Sequence, residues 1–378
     1  MTRLGVEAWG LGGDLLYSGI GQSTALLLRH LPEVAPDVEV VAYCGPREPR
    51  PGWLPGPVEW RRSRSRLDRR LAALDSRLRE LPGQVRRDGV DVFHAPGLHV
   101  RPSFPPVPRL GCPVVATVHD AIPLTFYGSD LPLKLRAFHR WNFGRALGSA
   151  AVVTVSDAAR REIKGAAPRA TPEVIVIPNA VEFAPRGDPE PLRRLGIQPP
   201  YVLFAGSYEP RKNLAGALAA MSELRGRGVP HRLVAVVERA SGHAPTLHAL
   251  IAELGLRERV HLVHSLSDPD LRSLYTQAEL LLFPSLAEGF GLPPLQAAAC
   301  GVPVVASDLP AVREVMGDGA QLVDPRSPSA LAEAMACILT QPGLSADLVR
   351  RSRRRLAQHH PARYVGAYAE LYRSLVRG

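Results

Sequence analysis

Short apolar runs recur along the chain, separated by longer segments in which apolar residues return every three or four positions. The runs are rich in Val, Ile and Leu and show little polar alternation, which is typical of strands covered on both faces. The spacing between them indicates helices. Twelve runs are predicted as strands, six in each half: 5–9, 38–45, 90–97, 113–120, 150–157, 173–179, 201–206, 231–237, 258–263, 279–285, 303–308 and 320–324.

Strands that alternate with helices predict right-handed βαβ units and parallel sheets. The expected fold class is therefore α/β, with two Rossmann-like doubly wound domains. The first domain is predicted over 1–183 and the second over 200–363, because residues 184–199 are polar and proline-containing, as linkers are. Residues 364–378 predict an amphipathic helix, which could pack on either domain and is expected to complete the first.

The composition is that of a globular protein, with 378 residues, 46% apolar and 22% charged. No apolar run reaches the ~20 residues that a membrane-spanning helix needs. The first residues show no signal-peptide pattern, and the four cysteines lack the spacing of a metal site. We therefore expect a cytoplasmic protein with reduced cysteines.

The formal net charge is +10, and much of it lies in residues 60–89. Leucines recur there at spacings of three and four, which predicts an amphipathic helix with an arginine-rich face. Three interpretations stand: a solvated surface, a peripheral contact with anionic lipids at the inner face of the membrane, or a nucleic-acid contact. No nucleic acid is expected, because no aromatic residues or reader motifs accompany the charges.

The loop GSYEPRKN follows the predicted strand 201–206 and contains one of only three lysines among 46 basic residues. Ligands of doubly wound folds bind outside the carboxyl ends of the strands. Arg211 offers a planar fork that fits phosphate oxygens, and Lys212 offers a compact charge. Gly206 is predicted to let the chain turn sharply. The two cations could neutralise a diphosphate without a metal; the alternative is an exposed turn.

A second loop, SLAEGFGLPPLQ, follows the predicted strand 279–285. Its glycines, among them Gly291, can expose backbone N–H groups, and Pro293 and Pro294 fit the first turn of a helix. The N-terminus of such a helix attracts anions. Glu288 is predicted to accept hydrogen bonds from sugar hydroxyls; the alternative is a helix entry with a surface carboxylate.

Two candidates lie in the first half of the chain. Gly19 and Gly21 open a predicted helix after the first strand, but Thr24 occupies the third position of a dinucleotide-binding fingerprint, so the dehydrogenase signal is weak. His119 ends a predicted strand, where it could face a ligand with Asp120 as its orienting partner.

Several other patterns are interpreted as structure. Ser156 or Asp157 is expected to cap a helix, and Ser267-x-x-Asp270 is typical of a helix N-terminus rather than of a metal site. No zinc cluster, Walker lysine or Gly-x-Ser-x-Gly motif is found. No metal site and no cofactor are therefore expected.

The motifs GSYEPRKN, SLAEGFGLPPLQAAACGVPVVASDLPAVREV and SGIGQ resemble the glycosyltransferases of family 4, which have the two-domain GT-B fold. TVHDAIPL, VTVSD and VIPNAV are similar to bacterial members that build surface polysaccharides, many of them mannosyltransferases. The resemblance covers nearly the whole chain and is most specific over 206–325. It implies that the two domains face each other across a cleft.

The resemblance also implies roles for individual residues. Arg211 and Lys212 would bind the diphosphate, Glu288 would contact the donor sugar, and His119 would approach the transferred sugar. Gln296 stands where the family has the second glutamate of a Glu-x7-Glu motif, which binds the ribose. Further binding positions are implied at Gly19, Gly21, Gly206, Phe290, Gly291 and Leu292.

The activity implied is retaining, metal-independent transfer of a hexose from a nucleoside-diphosphate sugar to a hydroxyl of a glycan, a glycolipid or a small molecule. GDP-mannose is favoured as donor and UDP-glucose comes next. Gln296, His264 and the segment VERASG depart from the family pattern near the expected base and ribose pocket. The alternatives are a nucleotide-sugar epimerase, a phosphorylase, or a catalytically weakened nucleotide-sugar-binding protein.

Overall fold

The computed structural model describes residues 1–13, 16, 18–64, 79–97, 110–167, 172–237, 244–264 and 266–377. Its contacts divide the chain into two units. The first consists of Met1–Ala180 together with His359–Gly378, and the second is Val181–Gln358. The second unit thus includes residues 184–199, which the sequence suggested as a linker.

The first unit is built on a parallel sheet. Its strands are β1 (Thr2–Glu7), β2 (Val38–Cys44), β3 (Glu59–Arg62), β4 (Val92–Ala95), β5 (Val114–Thr117), β6 (Ala151–Thr154) and β7 (Val174–Val176). They are ordered β3-β2-β1-β4-β5-β6-β7. Strand β1 pairs on both sides: Val6 lies opposite Ala42 of β2 and His94 of β4. The helices between them are α1 (Gly19–Val34), α2 (Leu81–Arg87), α3 (Ile122–Thr125), α4 (Leu133–Leu147) and α5 (Asp157–Ala166).

All six strands predicted for the first half are confirmed, and β3 is an additional one. Trp60 to Arg62 pair with β2, so the helix expected from residue 60 onward is wrong at its start. A strand at the edge of a sheet has a single neighbouring strand and tolerates charged side chains. The sequence of β3 therefore contains arginines in place of the apolar run that predicts a buried strand. Residues 65–78, which carry most of the leucine repeat, lie outside the described residues. The last part of the predicted helix is confirmed by α2.

The second unit contains a parallel sheet with the order β10-β9-β8-β11-β12-β13. Its strands are β8 (Tyr201–Gly206), β9 (Arg232–Val237), β10 (Val260–Val263), β11 (Leu280–Phe283), β12 (Val304–Ser307) and β13 (Gln321–Val323). All six were predicted. The helices are α6 (Glu190–Arg194), α7 (Leu214–Gly226), α8 (Ala244–Glu253), α9 (Asp268–Gln277), α10 (Leu292–Cys300), α11 (Pro310–Met316), α12 (Pro328–Thr340) and α13 (Pro342–Leu356).

The last helix, α14 (Pro361–Arg377), belongs to the first unit. Tyr364, Tyr368 and Tyr372 follow each other at intervals of four residues, so all three lie on one face of the helix. Each is buried in the same apolar core as β1 and α1. The predicted C-terminal helix is thus confirmed, and it closes one side of the first sheet.

Two predicted helix caps are also confirmed. Ser156 Oγ accepts a hydrogen bond from the N–H of Ala159 at 2.9 Å, and Ser267 Oγ accepts one from the N–H of Asp270 at 3.3 Å. The Ser-x-x-Asp pattern therefore opens α9, as expected. Within the described ranges, no helix combines the length and the apolar character that crossing a membrane requires.

Candidate active site

The strand order reverses at one place in each sheet. In the second unit β8 has β9 on one side and β11 on the other, and the chain leaves this point in both directions. Such a switch point opens a crevice at the carboxyl ends of the two central strands. The loop after β8 carries Arg211 and Lys212, and the loop after β11 carries Glu288. The two sequence motifs therefore meet where a ligand is expected.

Asn213 holds these loops together. Its side chain Nδ2 donates to the carbonyl of Pro284 at 3.1 Å and to that of Pro325 at 2.8 Å. Its Oδ1 accepts from the N–H of Gly216 at 3.1 Å and so caps α7. Asn213 has φ 57° and ψ 43°. This left-handed conformation is one that Asn adopts more readily than most residues. One amide thereby connects the loops that follow β8, β11 and β13.

Lys212 and Arg211 converge on one oxygen of Glu288. Lys212 Nζ lies 2.5 Å from Glu288 Oε1, and Arg211 Nη1 lies 3.4 Å from the same atom. The carbonyl of Arg211 accepts a hydrogen bond from the N–H of Leu286 at 2.6 Å, which fastens the two loops through the backbone. The Lys212 ammonium also lies 5.4 Å from the centre of the Phe283 ring.

The three charged groups are largely shielded from solvent. The side chain of Glu288 is 9% exposed, that of Lys212 12% and that of Arg211 20%. Burial alone would raise the pKa of Glu288, but the charges of Lys212 and Arg211 outweigh it and hold the pKa below its usual value. Glu288 is therefore a carboxylate that pairs with both cations.

Arg211 has a second carboxylate partner, Glu209. Arg211 Nε donates to Glu209 Oε2 at 2.7 Å, and Ser207 Oγ donates to Glu209 Oε1 at 2.8 Å. Burial would raise the pKa of Glu209. The charge of Arg211 and the hydrogen bond from Ser207 outweigh burial, so the pKa is lowered. The guanidinium is thus held in one orientation by a carboxylate on its Nε side.

The N-terminus of α10 completes the site. Gly291 precedes the helix with φ 104° and ψ 67°. This conformation is strongly unfavourable for a residue that bears a side chain. Phe290 and Leu292 are 5% and 8% exposed. Pro293 lies in the first turn of the helix, as predicted. The first four N–H positions of a helix have no intrahelical acceptor, and here two of them are prolines, so Gly291 and Leu292 supply the N–H groups that give this turn partial positive charge.

Gly206 differs from its expected role. It is the last residue of β8, pairs with Val237 of β9, and is not among the glycines with positive φ. A side chain there would meet the methylene groups of Lys212 at 3.5 Å. The chain leaves the strand through the short 3-10 turn Pro210–Lys212. The residue with left-handed backbone angles is Asn213, which follows that turn.

Two residues that depart from the expected pattern occupy defined positions. Gln296 lies in α10 and is 6% exposed. His264 follows β10, and its Nδ1 donates to the carbonyl of Val237 at the end of β9 at 2.8 Å. The segment 238–242, which contains the rest of VERASG, lies outside the described residues. Contact of Gln296 with a ribose stays a prediction.

In the first unit, Gly19 and Gly21 form the first turn of α1. Ser18 Oγ accepts from the N–H of Gly21 at 3.1 Å, and the carbonyl of Gly19 accepts from Ser23 Oγ at 2.8 Å. This turn follows the loop after β1, at the switch point between β1 and β4. Gly97, after β4, lies so near that a Cβ there would meet Ile20 at 3.1 Å.

His119 lies at the same end of the first sheet, after β5. It is 9% exposed, and its Nε2 lies 2.9 Å from the carbonyl of Pro96. Because a carbonyl only accepts, Nε2 carries the hydrogen, and Nδ1 of the neutral ring is an acceptor. Burial lowers the pKa of His119 to about 4, so the ring is neutral at physiological pH. Asp120 Oδ1 accepts from the N–H of Ile122 at 3.1 Å.

The sequence interpretation missed two residues of the site, Asn213 and Glu209. Asn213 had a detectable signal, because Asn is preferred immediately before a helix and here precedes the apolar start of α7. Glu209 had none, since a carboxylate two residues before an arginine is common on protein surfaces. Within the described part of the chain, no three His, Cys, Asp or Glu residues gather as potential metal ligands.

Comparisons with known proteins identify the family and the fold. The family Glycosyltransferase Family 4 matches residues 17–185, and the family Glycosyl transferases group 1 matches residues 193–355. The chain belongs to the family 4 glycosyltransferases. The solved structure of HepE from Anabaena in complex with UDP-glucose superimposes on this chain with a TM-score of 0.74 at 18% sequence identity. The superposition covers 99% of this chain and 100% of the HepE chain.

Relatives of this glycosyltransferase include two named mannosyltransferases. O-antigen chain mannosyltransferase B of Escherichia coli is 36% identical over 35% of this chain and 35% of its own length. MMP α-(1→4)-mannosyltransferase of Mycolicibacterium hassiacum is 31% identical over 67% of this chain and 62% of its own. The chain spans less than two thirds of the length of these relatives.

Proposed function

We propose that this family 4 glycosyltransferase is a hexosyltransferase that uses a nucleoside-diphosphate sugar. The observation that carries the proposal is the convergence of Lys212, Arg211 and Glu288 beside the N-terminus of α10. Lys212 has three N–H donors, and Glu288 engages one, so the ammonium can bind phosphate oxygens while it keeps this partner. The diphosphate is expected to lie against Lys212, Arg211 and the first turn of α10.

The proposed reaction breaks the bond between the anomeric carbon and the diphosphate oxygen, and it forms a bond to an acceptor hydroxyl. Negative charge grows on the departing oxygen, where the two cations and the helix N-terminus would stabilise it. The acceptor's proton passes to the departing phosphate, and attack occurs on the face that the diphosphate leaves. The anomeric configuration is then retained, and no metal is required.

Glu288 is assigned to the sugar of the donor. Both cations contact Oε1 of Glu288, so a sugar hydroxyl is expected to donate to Oε2. A carboxylate here also keeps the phosphates from moving toward the sugar, since like charges repel. Neutral His119 would accept a hydroxyl hydrogen bond through Nδ1.

The donor favoured is GDP-mannose, with UDP-glucose next. The mannosyltransferase names of the two relatives support mannose as the sugar, and the UDP-glucose complex of HepE supports the second donor. The acceptor is a hydroxyl of a glycan, a glycolipid or a small molecule. Contact of residues 60–89 with an anionic membrane remains a prediction, because residues 65–78 lie outside the described residues.

Substitution of the two cations tests the function. We expect Lys212→Ala and Arg211→Ala each to lower turnover by ~100-fold or more, the usual cost of losing one group that stabilises developing charge. The measurement is release of nucleoside diphosphate from GDP-mannose and UDP-glucose with purified protein. Lys164→Ala and Arg227→Ala, which change exposed residues elsewhere, serve as matched controls and should retain full activity.

Two results would argue against this assignment. Near-normal turnover of both variants, with circular dichroism unchanged, would remove the proposed role of the cations. Binding of GDP or UDP to the wild-type protein without any sugar transfer would instead favour the catalytically weakened binding protein. Thermal shift with GDP, UDP and dTDP separates the nucleotides before any acceptor is known.

A further inference from the structure

A cavity of about 490 Å³ opens beside the carboxyl-terminal half of β3, in the first unit. Five arginines contribute to its lining, and Asp88 is the acidic residue among the described lining residues. The arginines come from three places: the loop after β2, the end of β3, and α2. They are Arg50, Arg61, Arg62, Arg64 and Arg87.

Two of these arginines have partners within the fold. Arg50 Nη1 donates to the carbonyl of Val58 at 2.7 Å, and its Nη2 donates to that of Pro55 at 2.6 Å. Arg61 Nη2 lies 2.8 Å from Glu59 Oε2 and 3.2 Å from Asp88 Oδ1. The charge of Asp88 is therefore directed at Arg61, and it does not balance the other guanidinium groups.

Arg62, Arg64 and Arg87 have a different environment. All three are exposed, and across the described ranges no carboxylate lies within ion-pair distance of their guanidinium groups. Glu80 is nearby, but its Oε2 accepts from the backbone N–H of Arg64 at 2.7 Å and from Ser63 Oγ at 2.5 Å. Three like charges around one cavity repel each other, and an anion between them would relieve this repulsion. Planar guanidinium groups fit the oxygen pairs of phosphate and carboxylate, and several converging forks favour a multiply charged anion.

We propose that this cavity binds a phosphoryl group, a phosphomonoester or a diphosphate, at a site separate from Lys212 and Arg211. Small-molecule sites typically range from roughly 300 Å³ to about 1000 Å³. The cavity, at about 490 Å³, has this size, so the group belongs to a larger ligand than inorganic phosphate. The cavity lies along an edge strand, where a ligand can enter without displacing a neighbouring strand. Two sources carry such a group: a soluble phosphorylated molecule or a phosphomonoester lipid head group.

A charge-matched pair of triple variants tests the site. The cavity variant is Arg62→Gln/Arg64→Gln/Arg87→Gln, and the control is Arg47→Gln/Arg86→Gln/Arg140→Gln, which changes exposed arginines outside the cavity lining. Both are made in an Arg211→Ala/Lys212→Ala background, so that binding at the proposed donor site is removed. The probe is inorganic pyrophosphate, measured by titration calorimetry at 0.15 M salt.

We expect the background protein and the control variant to bind pyrophosphate alike, and the cavity variant to bind at least about tenfold more weakly. Equal affinity in the two triple variants, or no binding by the background protein, would overturn the proposal. Either result leaves the donor-site assignment untouched, because that assignment is tested by turnover of the single variants.

Vesicle flotation distinguishes the two sources. Phosphatidylcholine vesicles are prepared with phosphatidic acid or with phosphatidylglycerol at equal charge. If the ligand is a lipid head group, the control variant floats with phosphatidic acid vesicles, pyrophosphate competes, and the cavity variant does not float. Loss of pyrophosphate binding with no difference in flotation supports the site and assigns it to a soluble ligand. Unchanged pyrophosphate binding in the cavity variant overturns the proposed phosphoryl site, whatever the flotation result.

Discussion

Glu288 is the residue at which the charges of the candidate site meet. Its carboxylate contacts Lys212 and Arg211 at once and is almost completely buried. A buried carboxylate between two cations lowers the positive charge available to a phosphate, yet it fixes both cations in place. The site therefore combines strict positioning with a modest net charge.

Glu288→Gln separates these two effects. The variant keeps the size of the side chain and removes the charge that competes with a phosphate. We expect GDP or UDP to bind at least as tightly as to the wild type, while turnover falls by about tenfold or more, an effect of ~1.4 kcal/mol. Calorimetry and nucleoside diphosphate release measure the two quantities, and Gln296→Glu tests in parallel whether the family's usual carboxylate improves donor binding. Weaker nucleotide binding by Glu288→Gln would contradict the assignment.

At the scale of single elements, α10 depends on the backbone of Gly291. With φ at 104°, any Cβ is strained, and the added carbon would lie 3.7 Å from Phe283 and 3.8 Å from Val312. We expect Gly291→Ala to lower the free energy of unfolding by about 1–3 kcal/mol and to reduce nucleotide binding, because the N–H groups of the first turn move. Gly226→Ala, at the end of α7 with no atom near the added carbon, is the control.

The attachment of α14 is a second element-scale feature, and it is sensitive to pH. Tyr372 OH lies 2.8 Å from His94 Nδ1, His94 Nε2 lies 2.8 Å from Thr117 Oγ1, and Thr117 Oγ1 lies 2.8 Å from Tyr368 OH. The network joins α14 to β4 and β5. Burial, with a smaller contribution from His119, lowers the pKa of His94 to about 3.

This low pKa has a defined consequence for stability. Below the usual histidine pKa of ~6.5 the unfolded chain binds a proton that folded His94 does not, so stability falls as pH falls from about 6.5 toward 3. His94 alone should account for about 2 kcal/mol lost between pH 6.5 and 5. Urea unfolding across this range measures the slope. His94→Gln should remove about half of the slope, because buried His119, whose pKa is lowered to about 4, contributes a similar part. His248→Gln, at an exposed position, should leave the slope unchanged.

For the whole molecule, the two units have separate cores, and all four tryptophans lie in the first: Trp9, Trp53, Trp60 and Trp141. Tryptophan fluorescence therefore reports the first unit, whereas circular dichroism reports both. We expect a nucleoside diphosphate at about 100 times its dissociation constant to stabilise the second unit by ~2.7 kcal/mol. The dichroism transition should then separate from the fluorescence transition. Equal shifts of both would show that the units unfold together.

Much of the fold follows from local pattern. The twelve apolar runs became strands because a buried parallel strand needs apolar side chains on both faces, and this leaves a continuous signature. Edge strand β3 escaped detection because one side of it has no neighbour, so Arg61 and Arg62 are tolerated. Gly206 was assigned a turn that occurs at Asn213, because composition alone does not say which residue of a loop takes the unusual backbone angles.

The sequence by itself determined the element order, the parallel sheets and the identity of the charged loops, since each of these depends on residues that are close together in the chain. Tertiary structure alone decided that Lys212 and Arg211 share one oxygen of Glu288, that Asn213 connects three loops, and that arginines from three segments surround one cavity. Those contacts join residues far apart in the chain. Their distances depend on how the strands are ordered and on how side chains pack between them, and neither is encoded in any local pattern.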